Sequence, residues 1–396
     1  MRGRIAGGFT LVELLVATAI LVLILVMTVQ ITNYASNLMV HTQAKVDSFQ
    51  EARAGFESMT RKISQAMLNT YWDYADVNGN PRTTANASTF VPSSYLRQSE
   101  LQFITGQAMT SPTQQPGIFD SIYSTRSNSV LLFTTHAIFF QAPLGYSSTA
   151  STATLTNLLN ECGYFVEFSN DNTDRPTFLS GTSGATIIPL RYRFRLKELS
   201  VPTESSEFYT SDFTTFPPLW FTDPFGASPP LKRTIAENVI ALIILPMRSP
   251  NDPAISGTTS YAQLAPHYAY DSKAWASTPS NPVAVNTDSS PLVPTMRNQL
   301  PPVVQVTMVA IDEPSAARLA SKNGTTMPTF TDSNALPGGL SSIFQTVTTP
   351  SGISSGKYGD EYLTDLASLE KALVNQHMTY RVFSTSVSIS QAKWSN

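Results

Sequence analysis

The chain has 396 residues, which is enough for one large domain or two small ones with a substantial hydrophobic core. Only 13% of its residues are charged and the net charge is −3, without the clustered basic face of nucleic-acid-binding proteins, so we predict no nucleic-acid partner. The single cysteine, Cys162, excludes an internal disulfide; we expect a buried structural thiol, with an intermolecular bridge as the alternative.

The first predicted element is a membrane-spanning helix that follows a short basic leader. The leader covers residues 1–8, and the apolar run from Phe9 to Val29 contains one charged residue, Glu13. About 20 residues span a bilayer, and the arginines of the leader place that end in the cytoplasm. A secretory signal is cleaved after its apolar run, whereas here the small residues precede it. Cleavage after Gly8 would therefore leave the apolar segment on the mature protein.

The hexamer GFTLVE at residues 8–13 resembles the class III signal of type IV pilins and type II secretion pseudopilins. This resemblance implies that a prepilin peptidase cuts after Gly8 and methylates the new amino terminus at Phe9. It also implies an assembly role for Phe9 and Glu13, with other pilin or pseudopilin subunits and the inner membrane as partners.

The physical chemistry of Glu13 fits that role. A carboxylate within a membrane-spanning helix costs about 2.5–3.5 kcal/mol on insertion scales, so it is usually paired and functional. We expect its partner to be the charged amine of Phe9 on a neighbouring subunit, a pair that forms only when a subunit docks into a filament. The alternative is that Glu13 lies near the membrane surface and its carboxylate reaches water.

The helix is predicted to continue beyond the membrane as an amphipathic segment, residues 30–72, because no helix-breaking cluster occurs before residues 78–81. A helix from Phe9 to Trp72 would be roughly 95 Å long. Apolar residues at steps of three and four predict one buried stripe: Phe49, Ala52, Phe56, Met59, Ile63 and Ala66. We expect this stripe to pack against a sheet, and a coiled coil is the alternative.

Residues 73–396 are predicted to form a β-rich extracytoplasmic head with long loops at 200–231, 249–299 and 320–360. Predicted strands are Leu101–Ile104, Ser129–Phe140, Gly163–Phe168, Leu190–Leu199, Ile235–Pro246, Leu300–Ile311 and Thr379–Ile389. Short helices are predicted at Thr152–Leu159, after Asp312 and at Asp360–Gln376. The predicted fold is therefore α+β, with a long N-terminal helix packed against a large antiparallel β domain, as in the lollipop of pilins.

The strand Leu190–Leu199 has one basic face, formed by Arg191, Arg193, Arg195 and Lys197. We interpret it as a solvated strand face, and a polyanion-binding surface is the alternative.

The order of elements is similar to that of J-type minor pseudopilins of type II secretion. The matching landmarks are Asn238–Leu242, Trp275, and Leu300-Pro301 leading into Val303–Thr307. Several segments also resemble the pilin-like Verru_Chthon cassette family: Leu264–Ser272, Leu300–Glu313, Tyr380–Ser384 and Lys393-Trp394.

These observations predict a structural subunit, a minor pseudopilin or minor pilin, held in the inner membrane by a single helix with its head in the periplasm or on the cell surface. A pilus-tip adhesin or a DNA-uptake subunit is the alternative. The sequence contains no G-x-S-x-G or H-E-x-x-H motif, and its four histidines lack metal-ligand spacing. We therefore predict no enzyme, no catalytic residue, no metal site and no cofactor.

Overall fold

The computed structural model describes residues 10–84, 86–109, 117–119, 132–152, 154–176, 188–208, 219–226, 231–247, 268, 270–273, 298–344 and 358–393. The chain forms two compact units, Met1–Asp47 and Ser48–Asn396. The second unit is called the β domain below.

Helix α1 extends over Leu11–Ile63 and so ends before Trp72, contrary to our expectation. After Ile63 the backbone hydrogen bonds change from the α-helical pattern to bonds between residues three apart. The N–H of Gln65 donates to the carbonyl of Lys62 and the N–H of Ala66 to that of Ile63, both at 3.0 Å. The aromatic residues that follow favour extended structure. They form strand β1, Tyr71–Ala75, which pairs antiparallel with β2, Ser94–Gln98.

The described strands of the β domain form two larger antiparallel sheets. The strands of the first sheet are β3 Ile104–Gln107, β4 Leu132–Pro143, β5 Leu159–Ser169, β6 Arg193–Val201, β7 Lys232–Glu237 and β9 Tyr270–Asp271. Their order in the sheet is β7-β6-β5-β4-β3-β9. The second sheet has the order β11-β10-β8, with β8 Val239–Met247, β10 Val303–Ile311 and β11 Tyr380–Ser388. The predicted α+β class with a large antiparallel sheet domain is confirmed.

The predicted strand Ile235–Pro246 is in fact divided between the two sheets at Asn238. This residue has a φ of 60°, a left-handed conformation that asparagine tolerates better than most residues. Its N–H donates to the carbonyl of Phe194 in β6 (2.8 Å), and its carbonyl accepts from the N–H of Ile311 in β10 (3.0 Å). At Asn238 the chain therefore passes from β7 in the first sheet to β8 in the second, and the backbone of Asn238 is hydrogen-bonded to both sheets.

A bulge in β4, between Thr134 and Ala137, joins the sheets a second time. Three consecutive side chains bond to backbone groups of β8: Thr134 Oγ1 donates to Ile240 O (3.0 Å), Thr135 Oγ1 accepts from Leu242 N (2.9 Å) and His136 Nδ1 accepts from Ile244 N (2.9 Å). The Nε2 of His136 lies 2.8 Å from the carbonyl of Phe344, so the ring is neutral with its hydrogen on Nε2. The bulge thus satisfies polar groups of β8 that face away from β10.

Within the β domain, the last part of α1 packs on the sheets, as predicted. Ala52, Met59 and Ile63 are fully buried. Gly55 allows close approach, because a Cβ at this position would lie 3.2 Å from the carbonyl oxygen of Ile235 in β7. The ring of Phe56 lies 5.9 Å from that of Phe383 in β11. The alternative of a coiled coil is wrong for this segment.

The remaining helices are short. They are α2, Leu219–Thr222; α3, Glu313–Asn323, which follows Asp312 as predicted; and α4, Tyr358–Asn375. The Asp312 side chain caps α3 by accepting from the N–H of Ser315 (3.0 Å). The helix expected at Thr152–Leu159 is wrong, because the described residues there form turns and Leu159 begins β5. Its threonines favour such turns, since the Thr152 hydroxyl bonds to the carbonyl of Thr149 (3.1 Å).

The predicted long loops contain ordered structure. In the 200–231 segment, Trp220 is fully buried and its indole N–H donates to Gln102 (2.9 Å). In the 320–360 segment, Phe330, Leu336 and Leu340 are buried in the core. Residues 345–357, and most of the 249–299 segment, lie outside the described residues.

Candidate functional site

The predicted processing and assembly residues lie at the start of α1. Gly8 and Phe9 fall outside the described residues, which begin at Thr10. Glu13 lies in the first turn of α1. The structure therefore gives the geometry of the predicted assembly carboxylate, while the predicted cleavage and methylation positions remain predictions from the sequence.

Glu13 forms a capping box with Thr10. The Oε2 atom of Glu13 accepts from the backbone N–H of Thr10 (3.0 Å) and from its hydroxyl (2.9 Å). In return, the N–H of Glu13 donates to Thr10 Oγ1 (3.3 Å). This reciprocal pattern satisfies two backbone donors that an uncapped helix would leave without partners. Glu13 thus stabilises the first turn of α1 within a single chain.

Thr10 is a site residue that our reading of the sequence missed. The signal was available, because Thr10 and Glu13 have the T-x-x-E spacing of a capping box directly before an apolar helix. We assigned Glu13 to contacts between subunits and did not consider a partner in its own chain.

The first half of α1 is apolar on all sides and exposed. Between Leu11 and Val29 the large apolar side chains are 47% to 80% exposed. The hydroxyls of Thr18 and Thr28 donate to the carbonyls of Leu15 (3.0 Å) and Ile24 (2.8 Å), so neither requires water. This helix is long and apolar enough to span a membrane.

At its other end, α1 is fixed to the β domain by a charged cluster around Glu198 of β6. Lys62 and Arg233 both pair with this carboxylate, and Tyr164 donates to it (2.8 Å). Although burial raises the pKa of Glu198, hydrogen bonds from Lys62 and Arg233 outweigh it and hold the pKa below its ordinary value. The carboxylate is therefore charged at neutral pH and anchors the last turn of α1.

Most of the predicted basic face is not solvated: Arg191 is exposed, whereas Arg193, Arg195 and Lys197 are buried. Arg195 is fully buried and Lys197 is 2% exposed. Arg195 pairs with Glu237 (3.2 Å) and Asp174 (3.8 Å), and Lys197 pairs with Asp174 (2.9 Å). The two buried cations are paired with carboxylates that are 29% exposed, so both the solvated strand face and the polyanion-binding surface are wrong for Arg195 and Lys197.

Cys162 is a free, fully buried thiol, as predicted. Burial raises its pKa to about 12, so it stays protonated at neutral pH and is a poor nucleophile. A bridge to another chain is wrong for this buried position.

The described residues contain no group of three or more His, Cys, Asp or Glu side chains that could hold a metal ion. Comparison with known proteins yields no relatives: no family model matches the chain, and neither a curated protein nor a solved structure matches it significantly.

Proposed function

We propose that this chain is a non-enzymatic structural subunit, a minor pseudopilin or minor pilin, of a type II secretion or type IV pilus-like filament. A prepilin peptidase cleaves it after Gly8 and methylates Phe9. Until assembly, the subunit remains in the inner membrane with its β domain on the periplasmic side.

One observation carries this proposal: the hexamer at residues 8–13 leads directly into an exposed apolar helix. Exposed apolar side chains from Leu11 to Val29 require either lipid or other apolar helices around them. A membrane meets this requirement before assembly, and a bundle of helices meets it in a filament. The large β domain suits a subunit at the filament tip, because such a bulky domain is hard to repeat around a narrow helical stack.

Glu13 has two possible contributions, and substitutions separate them. Gln at this position retains the hydrogen bonds of the capping box but removes the charge, whereas Leu removes both. Substitution Thr10→Val removes the capping hydroxyl and leaves the Glu13 charge in place. If Glu13 pairs with the amine of a neighbouring subunit, Glu13→Gln and Glu13→Leu abolish incorporation into filaments, while Thr10→Val retains most of it.

The measurement is the amount of the chain in filaments sheared from the cells that naturally produce it, relative to the amount in their membranes. Equal membrane levels of all variants show that insertion is intact. Normal incorporation of Glu13→Gln, together with loss of incorporation in Thr10→Val, would reduce Glu13 to a helix cap and contradict its proposed role in assembly.

A further inference from the structure

Strand β11 lies at one edge of the second sheet and pairs with β10 alone, without a register shift. The N–H of Ile389 donates to the carbonyl of Pro302 (3.1 Å), and the N–H of Asp312 donates to the carbonyl of Thr379 (3.0 Å). Hydrogen-bonded pairs alternate in an antiparallel ladder, so the odd-numbered residues of β11 bond to β10. The even-numbered residues therefore direct their backbone N–H and C=O groups away from the sheet. They are Tyr380, Val382, Ser384, Ser386 and Ser388.

The outward edge of β11 is open over its second half. Within the described ranges, no other group bonds to the outward N–H and C=O groups. The side chains of Ser384, Thr385 and Ser386 are all exposed, although successive side chains of a strand point to opposite faces. Neither face of the sheet is therefore covered there, and the backbone between them is accessible to a partner.

The edge strand of the first sheet, β7, shows the opposite arrangement. Helix α1 packs against it at Gly55, and the carboxylate of Glu51 accepts from the N–H of Glu237 (3.2 Å). Proteins commonly protect an edge by such cover, or by charged residues, proline or a bulge. Strand β11 contains no proline and no bulge, and Arg381 is its single charged residue. An edge without these features is a template for another strand.

We propose that two copies of this chain pair antiparallel through β11, which joins their second sheets into one continuous sheet. A second β11 is complementary to the first, because the outward groups of both strands belong to even-numbered residues and exchange N–H···O=C bonds. Its small Ser, Thr and Val side chains can lie side by side across the pair.

The charge on β11 selects this arrangement. In an antiparallel pair centred on Ser384, the two Arg381 side chains lie about 20 Å apart, whereas a parallel pair would bring them together. Each copy contributes its one edge of β11, so the association closes at a dimer about a two-fold axis. This inference concerns the β domain alone and does not depend on the proposed function, so either can fail without the other.

Sedimentation equilibrium of the full chain, in a density-matched non-ionic detergent with micelles in large excess, measures the association. We expect a reversible monomer–dimer equilibrium. Ser386→Pro removes an outward N–H, which an edge strand tolerates, and should weaken the dimer about tenfold or more. Ser386→Ala is the matched control, because it retains the N–H and should dimerise as the wild type does. Thermal unfolding of dilute samples shows whether each variant is folded.

Cross-linking then locates the contact and does not require the proline variant to fold. Cysteine is introduced singly at Ser384, Thr385 and Ser386, and each variant is treated with a short bismaleimide in membranes and in detergent. Near a two-fold axis each cysteine faces its own counterpart, so these variants should give a cross-linked dimer. Glu57→Cys, at an exposed position of α1, should give none. The buried thiol of Cys162 does not react.

Several results would overturn the proposal. A chain that stays monomeric and gives no cross-link at β11 has no such interface. A dimer equally strong in the folded Ser386→Pro variant forms elsewhere, for example through the exposed apolar part of α1. Open-ended growth beyond a dimer would contradict the two-fold pairing.

Discussion

Glu161 of β5 is a carboxyl group in the interior of the β domain, with its side chain fully buried. Burial raises its pKa from 4.5 to about 8, although the N–H groups of Glu207 and Phe208 donate to Oε1 at 2.8 and 3.1 Å. The folded protein therefore holds this proton more tightly than the unfolded chain does. Between pH 4.5 and 8, a rise in pH removes the proton first from the unfolded chain and lowers the free energy of unfolding.

Glu161→Gln should remove this pH dependence, because the amide oxygen still accepts both N–H groups and never ionises. Near pH 8 the variant should be more stable than the wild type, by on the order of 4 kcal/mol. Near pH 4 the two should be equally stable. Thermal unfolding of the full chain in detergent at both pH values measures this, with the exposed Glu57→Gln as the control. A variant less stable than the wild type at pH 8 would show that the Glu161 charge is stabilised in the fold.

At the scale of single elements, β6 shows how charges are placed in this domain. Its basic residues point into an ion-pair network, and the partners of that network come from β7 and from the turn after β5. Arg195 is fully buried, pairs with Glu237 and donates to the carbonyl of Ser169 (2.6 Å). Removal of the Arg195 guanidinium leaves the carbonyl of Ser169 without this donor. Its carboxylate partners Glu237 and Asp174 are 29% exposed and keep Arg191 and Lys197 as partners.

Arg195→Met should therefore destabilise the β domain by about 1–3 kcal/mol. Arg53→Met is the matched control, because Arg53 also pairs with a glutamate, Glu57 (2.7 Å), but its side chain is 71% exposed. That variant should lose no more than about 0.5 kcal/mol. Chemical denaturation of both variants measures the difference, and similar losses would contradict the account of β6 as a buried network.

Element types were predictable where the pattern was long and regular. The apolar run after Glu13, the strand at Leu300–Ile311 and the helix after Asp312 follow from hydrophobic periodicity and capping residues. The break at Asn238 was not predictable, because it depends on which sheet each half of the segment joins. The basic face of β6 misled us for a similar reason, since its acidic partners Asp174 and Glu237 are distant in sequence.

Of the candidate site, only the sequence motif at residues 8–13 was predictable. Glu13 was found because a local hexamer marks it, and Thr10 could have been found by the same local reading.

At the scale of the whole molecule, the chain combines an apolar helix that needs a membrane or other helices with a β domain that has its own core. Helix α1 belongs to both units, because it begins at Leu11 in the first and ends at Ile63 in the second. Its first part is exposed, whereas the stripe from Ala52 to Ile63 is buried against the sheets. We propose that this single helix is processed at its N-terminus and serves both as membrane anchor and as filament contact.

Intact-mass and N-terminal analysis of the chain from cells with and without a prepilin peptidase tests that claim most directly. We predict that the peptidase removes residues 1–8 and that the mature protein begins at Phe9 and carries one additional methyl group. In cells without the peptidase, the chain should keep its leader and stay in the membrane. Cleavage after the apolar run, or an unprocessed chain in the presence of an active peptidase, would contradict the account.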